Sequence, residues 1–489
     1  MSTGNDLNTE AAAFLERCGK DEIELHSLLI GNSNKVLFKG YFEPYQEDNL
    51  HVLFSISKSF TCMALGLLYD DGKVNLDVPL ISYYPEYKEL ADGYMKEVTL
   101  DHLLAMNAGT DQFTTAKICT HGPDDDWAAN YFADRLVHKT GTYFQYNTPA
   151  SYMIGRTVTQ ISGKKPLDLL QERIFRVMEI RDVQWDECPL GFHTGGWGLW
   201  MRPADLYKIG QLFLKRGTWQ GAVLLSAAWI EKMMEAASDT SRLGDPTECG
   251  YGYQTWLNAS GGYSFRGMFG QFCYMIPEKD CVIVVTGGTH EKEKLGRYVE
   301  EMARRLPDLH RPETSETVVR KDLQLFCEDH RKDGRSFGLG EGYTEFAMLP
   351  NKEGYAAIGF SFTADKAYLH LSYNREQGGY HNVLPLGYGT WEYGTRTCKG
   401  QISCWSGGTR KTAACVRAKD RGFAILLRFT ESSNAEYWDV TVKADTLVIN
   451  RHLNCGDHGD ISMVSLQGQR DQGQRDQGQR NRKREGELL

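Results

Sequence analysis

No uninterrupted apolar run in this chain of 489 residues reaches the roughly 18 residues a membrane-crossing helix needs, so no membrane partner is expected. Met1 to Arg17 begins polar and acidic and has no apolar core of export-signal length. An excess of positive charge is also missing. Lys and Arg number 55 against 64 Asp and Glu, a formal net charge of -9, which argues against nucleic acid or an anionic surface as partner. None of the 12 cysteines forms a Cys-x-x-Cys pair, and Cys398, Cys404 and Cys415 lack a ligand pattern, so no metal site is expected. Neither glycine-rich segment has the spacing of a phosphate-binding loop. Most cysteines, such as Cys62, Cys273 and Cys281, fall in apolar segments where a reduced thiol packs as a small hydrophobe. A reducing cytoplasm is the simplest compartment consistent with these absences.

What is present is ample apolar material, 41% of residues, in a chain long enough for two or three domains. Glu24 to Ile30 and Lys35 to Phe42 read as strands around the turn Gly31-Asn32-Ser33-Asn34. Phe60, Met63, Ala64, Leu67 and Leu68 recur at helical spacing and stop at Asp71-Gly72. Thr99 or Asp101 caps a short helix that follows. Strands return at Tyr251 to Trp256, Phe272 to Ile276 and Cys281 to Thr286, before a helix at Lys292 to Leu306. Strands at both ends with helices between predict one sheet built from both ends of an α+β domain, residues 1–308. A linker at 309–319 leads to short strand-like runs over 320–456, an antiparallel barrel or sandwich. The last stretch, 457–489, carries a repeat of Asp-Gln-Gly-Gln-Arg with almost no apolar content and is expected to be a disordered tail.

Phe54-Ser55-Ile56-Ser57-Lys58 places a hydroxyl and an amine on one face of a helix start. A serine needs a base to become a nucleophile, and a lysine desolvated by burial can serve. Tyr146 is the candidate for a second proton-transfer group, as a phenolate favoured by the lysine ammonium; one more packed tyrosine among 25 is the bland alternative. Phe265-Arg266-Gly267-Met268-Phe269-Gly270-Gln271 holds two glycines in a strand-like run, which permits close backbone approach of a ligand or, more simply, a bulge. A backbone N–H there and that of Ser55 would suit an oxyanion. His193, near Gly195-Gly196-Trp197-Gly198, is a candidate for the cleft wall, whereas His102, Asp124 to Asp126, Glu291 and Glu293 read as structural or solvated.

In order, these stretches resemble the class C beta-lactamase-related serine hydrolases, over about residues 20–306. Leu76-Asp77, His102-Leu103-Leu104-Ala105-Met106-Asn107-Ala108-Gly109, Gly195 to Leu199 and Pro277-Glu278-Lys279-Asp280 extend the resemblance. It implies that Ser55 is acylated, that Lys58 activates it, that Tyr146 shuttles protons, and that Met268, after Gly267, supplies the second oxyanion N–H. Two positions depart from the family pattern. Thr148 stands where Tyr-x-Asn has its asparagine, with Asn147 beside it, and Phe265 stands where a lysine or histidine is customary, with Arg266 next. The resemblance therefore implies substrate contacts at Asn147, Thr148, Phe265, Arg266 and Gly267, to which His193 is added from its place beside the glycines. It also implies the esterase or 6-aminohexanoate-dimer-hydrolase-like branch, acting on a small ester or linear amide without metal or cofactor. An acyltransferase using the same acyl-enzyme, a non-catalytic binding protein, and a D-amino-acid peptidase or weak beta-lactamase are the alternatives. The strand-rich region resembles lipocalin-like barrels, for which covering the cleft, homodimerisation and stabilisation all stay open.

Overall fold

The computed structural model describes residues 6–120, 122, 124–311, 316–322, 337, 339, 342–374, 379–398, 408–454 and 463–470. The chain divides into two compact units at Lys321 and Asp322. The first is built on an eight-stranded sheet in the order Thr317–Asp322, Val36–Glu43, Leu25–Gly31, Cys281–Gly287, Gln271–Ile276, Tyr263–Gly267, Trp256–Asn258, Glu248–Tyr251. Leu28 pairs with Val285 and Ile30 with Ile283, so early and late segments lie side by side. Both strands are buried along their whole length, because helices cover both faces of the sheet. Gly210 of the Pro203–Leu214 helix lies against Cys273 and Val282, and Gly296 of the Lys292–Arg305 helix lies against Phe272. Phe272 and Cys273 alternate along their strand and so face opposite sides. The strand Thr317–Asp322 extends this sheet beside Val36–Glu43, so residues expected in the linker pair in the first unit.

A helical layer packs beside the sheet around Ser57–Asp70, whose residues from Ser57 to Leu68 are all buried, and Thr148–Ser162. Thr99 does cap its helix: its hydroxyl accepts the His102 N–H while the His102 ring accepts the Thr99 N–H. The helix Pro166–Leu170 continues into a wider turn at Gln171–Phe175.

The second unit is a ten-stranded, mainly antiparallel sheet that closes into a barrel where Gly387 and Tyr388 run parallel to Cys415 and Val416, with Glu392–Cys398 added beside Gly408–Lys419. Two of its strands, Ala435–Lys443 and Thr446–Leu453, are joined by a tight turn at Ala444 (φ 51°). A larger correction concerns the tail. Met463–Arg470 is a strand inserted between Gly342–Met348 and Thr446–Leu453, with Leu466 buried. Backbone pairing on both sides holds a segment that its own side chains would not. The repeat beyond Arg470 lies outside the described residues.

Inside the barrel, Glu436 accepts from both Arg396 (2.7 Å) and Arg451 (3.2 Å), and all three are buried. Tyr355 accepts from both arginines as well.

Candidate active site

Ser55 does not sit on the α-helix itself. It occupies a short 3-10 turn, Phe54–Ile56, and the helix starts at Ser57. The reason is Phe54, whose φ of 47° is left-handed and costs a non-glycine residue about 1–3 kcal/mol. The turn is held from several sides. The Ser57 hydroxyl donates to the Phe54 carbonyl (2.6 Å) and accepts the Leu199 N–H (3.1 Å), while the Leu53 N–H reaches the Leu199 carbonyl (2.8 Å).

Lys58, one turn on, is 1% exposed. Its Nζ donates to Ser55 Oγ (2.9 Å) and to the Gly196 carbonyl (2.8 Å). Burial pulls its pKa down to about 7, because a low-dielectric setting disfavours the ammonium. The same Nζ lies 4.8 Å from the Tyr146 ring centroid. Tyr146 shows part of its ring to a pocket, yet its surroundings are apolar enough that burial raises its pKa, the Ser55 hydroxyl pulling weakly the other way. The sequence expectation of a lysine-stabilised phenolate is therefore reversed. Desolvation acts on both groups and leaves a neutral phenol beside an amine that readily loses its proton. Gly196 is required for this arrangement, since a Cβ there would strike the Thr148 methyl group and come 3.5 Å from Lys58 Nζ.

The pocket, about 290 Å³, is lined by Ser55, Tyr146, Trp256, Arg266, Gly267 and Met268 among others. Trp256 stacks on Tyr146 with ring centroids 5.6 Å apart. A Cβ on Gly267 would collide with the Leu53 carbonyl, so only glycine lets this strand end press against the Ser55 turn. Beyond it, Phe269 (φ 60°) and Gly270 (φ 92°) turn the chain, and Gln271 donates to the Met268 carbonyl (3.0 Å). Neither the Ser55 N–H nor the Met268 N–H has an acceptor among the described residues.

Arg266 reaches the pocket, and each of its three nitrogens already donates to a neighbour. Nε bonds Ser264 (2.9 Å), one terminal nitrogen bonds Glu248 (2.9 Å) and the other Asn258 (2.8 Å). Glu248, from the pocket wall, has its pKa raised to about 7 by burial, against the opposing pull of Arg266. Four other predicted contacts lie elsewhere. Phe265 is in the core, edge-on to Phe213 at 5.0 Å, because it alternates with Arg266 along the strand. His193 is buried flat against Trp185 (5.2 Å), and burial takes its pKa down to about 3. Asn147 accepts from the Thr114 hydroxyl (3.1 Å), tethering the segment before it, and Thr148 begins its helix packed on Gly196.

Sequence reasoning missed Glu248 and Trp256, and it missed Gln254. The Gln254 side chain accepts from Ser151 (2.6 Å) and donates to Leu103 and Leu104 (each 3.0 Å), and its carbonyl accepts from Ser59 (2.7 Å). Its φ of 51°, unusual for glutamine, has no local sequence signal.

Among curated proteins, 6-aminohexanoate-dimer hydrolase of Paenarthrobacter ureafaciens is 27% identical over 280 residues, 53% of this chain and 71% of its own. Lovastatin esterase of Penicillium rubens is 29% identical over 178 residues, 31% of this chain and 43% of its own. The octameric penicillin-binding protein homologue of Pyrococcus abyssi shares the fold, with a TM-score of 0.52 at 15% identity, covering 95% of this chain and 100% of that one. The family model described as Beta-lactamase matches residues 19–301, which include the Ser55 turn, Tyr146 and the Gly267 strand end. More than half of the chain lies within that match, and the protein belongs to the Beta-lactamase family of serine hydrolases.

Proposed function

We propose that the protein is an esterase or linear amidase of the class C beta-lactamase-related branch, working through a covalent ester on Ser55. The observation that carries this reading is the 2.9 Å contact between Ser55 Oγ and the buried Lys58 amine, whose pKa is pulled down to about 7.

As a free amine Lys58 takes the Ser55 proton while Oγ forms the bond to the substrate carbonyl carbon. The resulting oxyanion is received by the Ser55 and Met268 N–H groups. Tyr146, a neutral phenol, donates its proton to the departing alkoxide or amine and recovers one from the Lys58 ammonium. Water then attacks the acyl ester, its proton passing to the same groups, and Ser55 is regenerated.

Each nitrogen of Arg266 already donates to a neighbour, and the Glu248 carboxyl stands beside it to repel a substrate carboxylate. This favours uncharged acyl groups over the carboxylated substrates of beta-lactamases and D-amino-acid peptidases. The likeness to a 6-aminohexanoate-dimer hydrolase and a lovastatin esterase supports the same branch. The barrel is assigned to the lipocalin-like class, and the cytoplasm is the proposed site of action.

The test is labelling with a fluorophosphonate probe, followed by peptide mapping. Modification at Ser55, lost in Ser55→Ala together with hydrolysis of p-nitrophenyl butyrate, is the expected result. A folded protein left unlabelled at Ser55 refutes the reading.

A further inference from the structure

Behind the Ser55 turn lies a row of groups that the reaction above does not use. His51 and Val52 form a two-residue strand paired with Met201 and Trp200, immediately before Leu53 and the strained Phe54. His51 Nδ1 lies 2.9 Å from the Val52 carbonyl. Its Nε2 lies 2.9 Å from His26 Nδ1, and His26 Nε2 lies 2.7 Å from Glu24 Oε1. Both imidazoles are buried, and Tyr45 stacks on His26 with centroids 3.4 Å apart.

A carbonyl oxygen can only accept, so His51 Nδ1 must carry a proton. The contact between the two rings needs a second proton, and the contact with Glu24 a third. Two neutral imidazoles supply only two protons. The row therefore holds one proton beyond a pair of neutral rings.

We infer that Glu24, His26 and His51 act as a positioning relay for the proposed nucleophile, with His26 as an imidazolium between the Glu24 carboxylate and a neutral, Nδ1-protonated His51 that fixes the Val52 carbonyl. His26 donates at both nitrogens, and His51 accepts from it at Nε2. Burial and the neighbouring His26 hold the His51 pKa down to about 3, which keeps the extra proton off His51. Of the two groups left, an imidazole is a stronger base than a carboxylate, so the proton goes to His26. The ring of His51 is then fixed in one tautomer and one orientation. Through Val52 it fixes the entry to a turn whose Phe54 conformation persists only while its surroundings enforce it. The Ser55 N–H and hydroxyl follow three residues after Val52, where small displacements of a reacting group lower rate steeply.

The relay's catalytic consequence rests on Ser55 as nucleophile, but its protonation pattern does not, and the two are tested separately. Nitrogen-15 NMR of histidine-labelled protein near neutral pH, with His26→Asn and His51→Asn used for assignment, reads the pattern directly. The expected spectrum has both His26 nitrogens protonated, His51 Nδ1 protonated and His51 Nε2 pyridine-like. Two neutral rings, or a His51 protonated at Nε2 alone, overturn the relay whatever the activity.

The second arm is His26→Phe, which keeps a ring against Tyr45 and removes both donors. Its kcat for p-nitrophenyl butyrate is expected to fall about 10-fold to 100-fold with KM nearly unchanged, while fluorophosphonate still maps to Ser55. A kcat within about twofold of the parent refutes the positioning role. If His26→Phe does not fold, the spectrum of the parent protein still decides the inference. Absence of Ser55 labelling in the parent refutes the esterase reading and leaves the NMR result to stand on its own.

Discussion

Lys58 holds its nitrogen over the ring of Tyr146, 4.8 Å from the centroid, and burial moves the two groups in opposite directions, the amine downward and the phenol upward. The amine is then the group that changes charge near neutrality. Activity is expected to rise with pH through about 7 as Lys58 loses its proton. A plot of log kcat/KM against pH for an uncharged ester checks this, and a profile flat between pH 6 and 8 contradicts it.

The same shift has a stability consequence of the opposite sense to a normal ion pair. The unfolded lysine keeps its proton up to about 10.5, whereas the folded one loses it near 7. Between these values the unfolded state binds more protons, so this group's contribution to stability rises with pH. It is most unfavourable below pH 7 and gone above about 10.5. Lys58→Met is therefore expected to lower kcat/KM by about 10² to 10⁴ while raising Tm at pH 7, with the gain shrinking toward pH 10. Differential scanning calorimetry of both proteins across that range measures it.

Gly196→Ala places a methyl group between Thr148 and Lys58. Overpacking of this kind costs about 1–3 kcal/mol, and the displaced amine should lower kcat more than it raises KM. Urea unfolding and steady-state kinetics on the one variant separate the two effects.

Arg266→Leu leaves the Glu248 carboxyl without its guanidinium, while Ser264 still donates to Asn258 (2.7 Å). Breaking such a pair destabilises by about 3 kcal/mol, whereas Glu248→Gln, which still accepts from the guanidinium, should stay within about 1 kcal/mol of the parent at pH 7. Similar melts for the two variants would show that the pair does not hold the wall.

In the barrel, Glu436→Ala leaves the buried Arg396 and Arg451 guanidiniums without the carboxylate they share. A loss of about 3–5 kcal/mol is expected. Hydrogen exchange should accelerate in Tyr355–Phe362 and Thr446–Leu453 and remain unchanged in Leu25–Gly31. Uniform acceleration across both units would contradict a local role.

What could be read from the sequence is what is encoded locally. Ser55 and Lys58 meet because three residues bring side chains round to one face, and Thr99 caps because its hydroxyl needs only its own first turn. Phe265 was misplaced because matching it to a motif position overlooked strand alternation, which turns Arg266 and not Phe265 toward the pocket. His193 fell near glycines that do serve the site, yet the imidazole itself packs on Trp185. Glu248 and Trp256 reach Tyr146 only through sheet order, across about a hundred residues of chain, and no spacing rule anticipates that. The strand Met463–Arg470 has the polar composition of a tail, while its place depends on hydrogen bonds from the neighbouring strand Thr446–Leu453 and the distant Gly342–Met348.

That late strand also sets an order of events during synthesis. Its partner Gly342–Met348 leaves the ribosome more than a hundred residues earlier and must wait, with one ladder unpaired, until Arg470 has emerged. Translation halted short of Met463 yields a barrel with an open seam between Gly342–Met348 and Thr446–Leu453, two edges onto which a neighbouring nascent chain can add.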